Sequence, residues 1–333
     1  MFTNLVLSGG AIKGFSFIGV IRLLEEKQYL NKIKTFVGSS AGSIVCFLAV
    51  LGFSSDSIYL ICLDIYNSYV KKPLNIDCIL NLNQSLGVDS GDEITRHLQN
   101  CLHSKWGMRS ISFLDLCKKS GNNLVVCASN ITKGCSTFFS VDNTPDVRVI
   151  KAVRASITIP FIFTPVEING YIFVDAALYN NFPIDYVKNY ILKDTLGISI
   201  KNKKYQPKGP LHLIPYMRLI LDSMLDLIND KNELLDHITL IEIDESKEEM
   251  FDVDMNTLKL TGGERNLEKY YLKGYESAKA RICQIEEKNG MPQEEEKITK
   301  KSRDNDRHQI CDIYANSSFN LCMSSLFSGE ITE

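Results

Sequence analysis

The pentapeptide Gly38-Ser39-Ser40-Ala41-Gly42 constrains this chain more than any other segment. It reads G-x-S-x-G, follows the β-type stretch Lys34-Thr35-Phe36-Val37, and opens an apolar run from Ile44 to Leu51 that suits a helix. A strand that passes into a helix over so few residues needs a tight turn, and a tight turn needs small flanks. Ser40 then stands at a helix N-terminus, where backbone N–H groups and the helix dipole favour developing negative charge. The alternative is a glycine-rich turn without chemistry. A chain of this length meets the pattern by chance on the order of 0.1 times, so further segments have to decide.

The second segment is Leu5-Val6-Leu7-Ser8-Gly9-Gly10-Ala11-Ile12-Lys13-Gly14. Phe2 to Leu7 reads as a buried strand, and residues 15–28 as a helix with Phe17, Ile21 and Leu24 on one face. A glycine turn between strand and helix offers backbone N–H groups to an anion. The dinucleotide fingerprint would need glycine where Ala11 stands. A phosphate loop would need Lys and then Ser or Thr after Gly14, where Phe15 follows. The reading left is an oxyanion hole, with donors from Gly9, Gly10 and Ala11 joined by the Ala41 N–H. Each such donor lowers a barrier by roughly 2.7–4 kcal/mol. The third segment is Tyr171-Ile172-Phe173-Val174-Asp175-Ala176-Ala177, followed by Leu178 to Pro183. An acid ends an apolar strand before small residues and a turn. In isolation such an Asp is most often an N-cap or turn former.

Together these segments resemble the patatin-like phospholipase family. The resemblance includes order and spacing: a G-G-x-x-K-G loop supported by Lys13 and Gly14, then G-x-S-x-G with its flanking Gly38 and Gly42, then the Asp motif far downstream. It extends to Ala152–Pro165, which is similar to the family's A-x-x-A-S-x-x-x-P-x-x-F-x-P block, and to Asn180-Asn181-Phe182-Pro183. It covers about residues 4–190. It implies an α/β three-layer sandwich with a mainly parallel central sheet. It also implies a dyad of Ser40 and Asp175, a lipid ester substrate, and no metal or other cofactor. Asp175 would take the Ser40 proton directly, which requires desolvation to strengthen a carboxylate whose ordinary pKa is near ~3.9. Two positions depart from the family pattern. Asp175 is followed by Ala176 in place of the usual glycine, and Ala11 replaces the third glycine of the first loop. Ala176 is acceptable only at negative φ, because alanine resists the left-handed region. The Ala11 methyl narrows the approach of a substrate.

A histidine triad is the weaker expectation. Of the five histidines, chain order leaves His212, His237 and His308 as partners, and none stands in a catalytic context. Ten cysteines show no C-x-x-C pair and no zinc-like spacing, which argues against disulfide and metal frameworks. A net charge of −3 and the lack of a basic stripe argue against a nucleic-acid partner. The 333 residues, 44% apolar, suffice for one large core. No signal peptide is expected. Thr35 to Ser55 carries no charge, yet its glycines and serines fit a buried strand, turn and helix better than a membrane span. The expected location is cytoplasmic, with peripheral contact to a membrane or lipid-droplet surface.

Alternating strands and helices imply a parallel sheet with helices on both faces. Helices are expected from Ser54 or Ser55 to about residue 69, from Ser90-Gly91-Asp92-Glu93, over Ser112–Lys119, and from Thr144-Pro145 to Ala155. Strands are expected at Leu124–Ala128, Thr137–Ser140, Leu196–Ile200 and Ile238–Ile243. Residues 216–228 read as an amphipathic helix, either a packing element or a lipid-facing lid. Residues 1–285 form the expected catalytic domain and 286–333 a charged tail. The expected activity is cleavage of carboxylic esters in phospholipids or other glycerolipids. Two alternatives stay open: a general carboxylesterase or triacylglycerol lipase using the same dyad, and a catalytically weak lipid-binding or regulatory protein.

Overall fold

The computed structural model describes residues 2–70, 82–189, 192–202, 233–245 and 264–288, with the short pieces 252–254 and 259–261 and residues 216 and 219. In chain order the elements are β1 (Asn4–Leu7), α1 (Phe15–Glu26), β2 (Thr35–Ser39), α2 (Ala41–Val50) and α3 (Ser55–Val70). There follow β3 (Gly87–Asp89), α4 (Asp92–Trp106), α5 (Phe113–Ser120), β4 (Asn123–Asn130), β5 (Cys135–Phe139) and α6 (Val149–Ser156). The last are β6 (Phe161–Phe163), β7 (Val166–Ile168), β8 (Tyr171–Val174), β9 (Thr195–Asn202), β10 (Thr239–Glu245) and α7 (Glu264–Lys288).

The main sheet runs β10-β9-β1-β2-β4-β8-β7, with β5 also on β4. From β10 to β4 every pairing is parallel; β5, β7 and β8 add an antiparallel side. Strand alternation divides the apolar residues between two faces. Leu5, Leu7, Phe36, Leu124 and Val126 enter the large core under α1 to α6 and α7. Val6, Val37 and Val125 point the other way, into a small cluster with Ile184 and Val187. That second face is covered, among the described residues, by 3-10 turns at Ile184–Asn189, Leu192–Asp194 and Glu233–His237 rather than by long helices. The three-layer α/β class is as expected, with long helices on one face and, among the described residues, short turns on the other.

Helix α1 is buried on more than the one face expected: Ile18 and Val20 are as inaccessible as Phe17 and Ile21. The reason is α7, which lies across its outer side. A side chain on Gly19 would run into the Tyr271 carbonyl, and one on Gly274 into the Ser16 carbonyl, so the two helices meet backbone to backbone. At the far end Glu286 accepts from Lys27 Nζ at 3.0 Å and from the Tyr29 hydroxyl at 2.7 Å. The expected boundary after residue 285 therefore falls inside α7, whose last turn ends at Lys288.

The expected helix from Pro145 begins instead at Val149. Val147 N–H closes a turn on Thr144, while Phe113 N–H donates to Val147 O and Val149 N–H to Ile111 O. These tethers to the start of α5 keep Arg148 extended, at φ −73° and ψ 124°, and tertiary pairing overrides the proline signal. The amphipathic segment 216–228 lies outside the described residues except for Tyr216 and Leu219, as does everything after Lys288. No helix among the described residues is long and apolar enough to cross a membrane.

Candidate active site

Ser40 occupies the junction between β2 and α2 with φ 48° and ψ −125°. A non-glycine residue in such a region costs about 1–3 kcal/mol and needs surroundings that enforce it. The Ser40 carbonyl accepts from Ser43 N–H at 2.9 Å and from the Ser43 hydroxyl at 2.6 Å. The Ser40 N–H donates to Ser156 Oγ at 2.9 Å. The flanking glycines have a steric reason. A Cβ on Gly38 would lie 2.6 Å from the backbone of Ser43, and one on Gly42 would lie 2.5 Å from the Ser8 carbonyl oxygen.

Asp175 follows β8. Its N–H donates to the Thr158 carbonyl at 2.6 Å. One carboxylate oxygen, Oδ1, accepts from Ala177 N–H at 2.8 Å; the other, Oδ2, accepts from Ser40 Oγ at 2.7 Å. One oxygen thus caps the turn that follows, and the other is left to the Ser40 hydroxyl. Asp175 is 5% exposed. Burial pushes its pKa up to about 6, against the opposing pull of the Ala177 and Ser40 hydrogen bonds. Ala176 opens a 3-10 turn and is not among the residues with positive φ, so the condition set by its methyl is met.

The first loop runs against the elbow, the strand-to-helix turn at Gly38–Gly42. A Cβ on Gly9 would sit 3.1 Å from Ser40 Cβ, and one on Gly14 would sit 2.8 Å from Ala41 Cβ. Gly10 has φ −178° and ψ 8°, and Ala11 holds φ 45°, so alanine does occupy a left-handed position here. Gly9 needs a correction as a donor: its N–H is already given to the Asn181 carbonyl at 2.9 Å. The amides of Gly10, Ala11 and Ala41 remain as candidates. Lys13 is buried at 1% exposure and belongs to the frame of the loop, its N–H closing on Gly10 O at 2.9 Å.

The group facing the Ser40 hydroxyl is a carboxylate. His97 and His103 lie on α4, and His237 ends a 3-10 turn; His212 and His308 fall outside the described residues. Among the described residues no cluster of three or more His, Cys, Asp or Glu is placed to hold a metal. Sequence reasoning did not assign roles to Ser43, Ser156, Thr158 or Asn181. Ser156 and Thr158 were visible only as letters of the Ala152–Pro165 block; nothing local marks which of them reaches Ser40 or Asp175.

A mainly parallel sheet that delivers a serine into a strained turn at a helix start, beside a buried acid, belongs to the three-layer α/β class. The patatin-like phospholipase family model matches residues 5–188. The chain belongs to the patatin-like phospholipase family. It is 36% identical over 205 residues to the probable lipid hydrolase 463L of Invertebrate iridescent virus 6, a match spanning 61% of this chain and 67% of that one. It is 26% identical over 215 residues to the triacylglycerol lipase ptl3 of Schizosaccharomyces pombe, spanning 55% of this chain and 40% of that one. Among solved structures, VipD from Legionella pneumophila shares the fold with a TM-score of 0.54 at 15% identity, over 85% of this chain and 67% of that one.

Proposed function

We propose that this chain is a lipid acyl hydrolase that cleaves carboxylic esters of phospholipids or other glycerolipids through Ser40 and Asp175. The observation that carries the reading is the 2.7 Å hydrogen bond from Ser40 Oγ to the buried Asp175 carboxylate. Ser40 Oγ attacks the ester carbonyl carbon while its proton passes to Asp175. The charge that develops on the carbonyl oxygen falls to the amides of Gly10, Ala11 and Ala41. Collapse breaks the bond to the alcohol, which leaves with the proton from Asp175. Water then adds to the acyl-serine, Asp175 takes its proton, and collapse releases the fatty acid and restores the Ser40 hydroxyl. A carboxylate held near about 6 is a stronger base than one at the ordinary value, so the raised pKa serves this chemistry.

The relative named as a triacylglycerol lipase supports including neutral acylglycerols among the substrates to be tried. A fluorophosphonate probe, with a panel of purified phospholipids and triacylglycerols, tests the reading. Wild type should label and hydrolyse, and Ser40→Ala should do neither. A folded wild type that never labels would support the lipid-binding alternative instead.

Peripheral contact with a lipid surface is part of the same reading. Leu86 and Phe161 are 54% and 47% exposed; Leu86 directly precedes β3, and Phe161 opens β6 opposite Gly87. Phe161 lies three residues beyond Thr158, whose carbonyl holds Asp175. Replacing both by serine should weaken sedimentation with phosphatidylcholine vesicles while leaving hydrolysis of a soluble ester intact.

A further inference from the structure

Ser40 and Asp175 do not come from neighbouring strands. Ser40 leaves β2 and Asp175 leaves β8, with β4 between them. Two strand spacings amount to nearly ~10 Å, so the sheet ladder alone does not set one side chain against the other. The end of α6 touches both. Ser156 Oγ accepts the Ser40 N–H at 2.9 Å, and the Thr158 carbonyl accepts the Asp175 N–H at 2.6 Å. Both residues are fully buried.

This helix end is itself pinned. Thr158 Oγ1 donates to the Arg154 carbonyl at 2.7 Å and accepts from Arg154 Nη1 at 2.6 Å. The same guanidinium donates through Nη2 to Ser90 O at 2.7 Å and Thr164 O at 3.3 Å, and lies over the Phe163 ring at 4.9 Å. A side chain on Gly91 would collide with it. Arg154 therefore ties two outer segments to the turn that carries Ser156 and Thr158.

We propose that Ser156 and Thr158 are positioning residues that set Ser40 against Asp175, and that Arg154 locks the turn on which they stand. The inference rests on the dyad reading above. Ser156 Oγ accepts the Ser40 N–H from outside the elbow, and so fixes the end of Ser40 that Ser43 does not hold. Thr158 fixes the backbone of Asp175 from the same turn. A shift of this turn moves the two reacting groups relative to each other without touching substrate. Misplacement by about 1 Å can cost on the order of 10²-fold in rate.

The test uses the full chain, a soluble p-nitrophenyl ester and a fluorophosphonate probe. Ser156→Ala should lower kcat and labelling rate about 10- to 100-fold with KM within about twofold. Its pH–rate midpoint should move above that of wild type, because Asp175 loses the Ser40 hydroxyl that holds its pKa down. Thr158→Val, which keeps the branched shape, should lower kcat by a smaller factor, and Thr158→Ser should restore it. A Ser156→Ala protein with wild-type kcat and midpoint overturns the proposal even if its Tm falls, since Ser156 is then a fold contact only. If that variant does not fold, Thr158→Val behaving like Thr158→Ser overturns it. Failure of wild type itself to label would strike the dyad reading instead, which keeps the two failures apart.

Discussion

Two non-glycine residues beside the candidate dyad hold left-handed backbone, Ser40 at φ 48° and Ala11 at φ 45°. Their surroundings differ. The Ser40 conformation is enforced by two bonds from Ser43, one to Ser156, and two glycines with no room for a Cβ. The turn of Ala11 opens a 3-10 helix, Ala11–Gly14, held by backbone bonds such as Lys13 N–H to Gly10 O and Phe15 N–H to Ile12 O. Strain at Ser40 aims a hydroxyl at Asp175, and the elbow is over-determined to hold it. Ala11 has no reacting side-chain group for its strain to aim. The difference separates strain that chemistry requires from strain that a glycine would remove.

The largest expected effect falls on the acid that the elbow is built to meet. Asp175→Asn should reduce ester hydrolysis at pH 8 by about 10²–10⁴-fold, measured beside an unchanged near-ultraviolet dichroism spectrum. Undiminished turnover would remove Asp175 from the reaction. Next comes Gly38→Ala, whose added carbon meets backbone that cannot swing aside. It should cost about 3 kcal/mol by urea denaturation and abolish probe labelling; a stable, labelled variant would show that the elbow is looser than its contacts imply.

The third effect is a pH dependence. The folded Asp175 pKa is raised to about 6, so between the unfolded value and that point the native state binds more protons than the unfolded chain. The stability tied to this group is fully present below about pH 4 and is lost as pH rises through about 6. A shift of some two units corresponds to about 3 kcal/mol at most. Hydrolysis moves oppositely, rising as Asp175 ionises through about pH 6. Asp175→Asn should therefore be inactive yet more stable than wild type at pH 8, and the gap should close at pH 4. An equal gap at both pH values would mean that burial of the charge is not what destabilises the site.

The smallest effect should appear at Ala11. Left-handed backbone costs alanine about 1–2 kcal/mol, and glycine returns about 0.5–1 kcal/mol of that in unfolded-state entropy. Ala11→Gly should gain about 0.5–1 kcal/mol in thermal or urea denaturation with no loss of labelling. A net loss would show that the methyl packs to some purpose.

Much of this was legible because it is local. The elbow glycines, the Ser112 N-cap with its bond from Asp115 N–H, and the left-handed Gly121 that ends α5 are written in adjacent residues. The buried face of α4 likewise follows its helical period through Ile94, His97, Leu98, Cys101 and Leu102. The positions that misled depend on distant partners. Gly9 loses its amide to Asn181, and Pro145 does not start a helix because Ile111 and Phe113 tether the backbone of Val147 and Val149. The burial of α1 on its outer side needs Gly274, far along the chain. No spacing rule connects such pairs before the chain is folded.

Strand β1 has β2 on one side and β9 on the other, and Ser8 at its end donates its N–H to Ile198 O and accepts the Ile200 N–H. The family match stops at residue 188, before β9 begins. A fragment cut there would keep every recognisable motif and still present β1 as a raw edge, open to pairing with other molecules. Expression of that half should yield aggregates, because the signature of the chemistry and the unit that folds have different lengths.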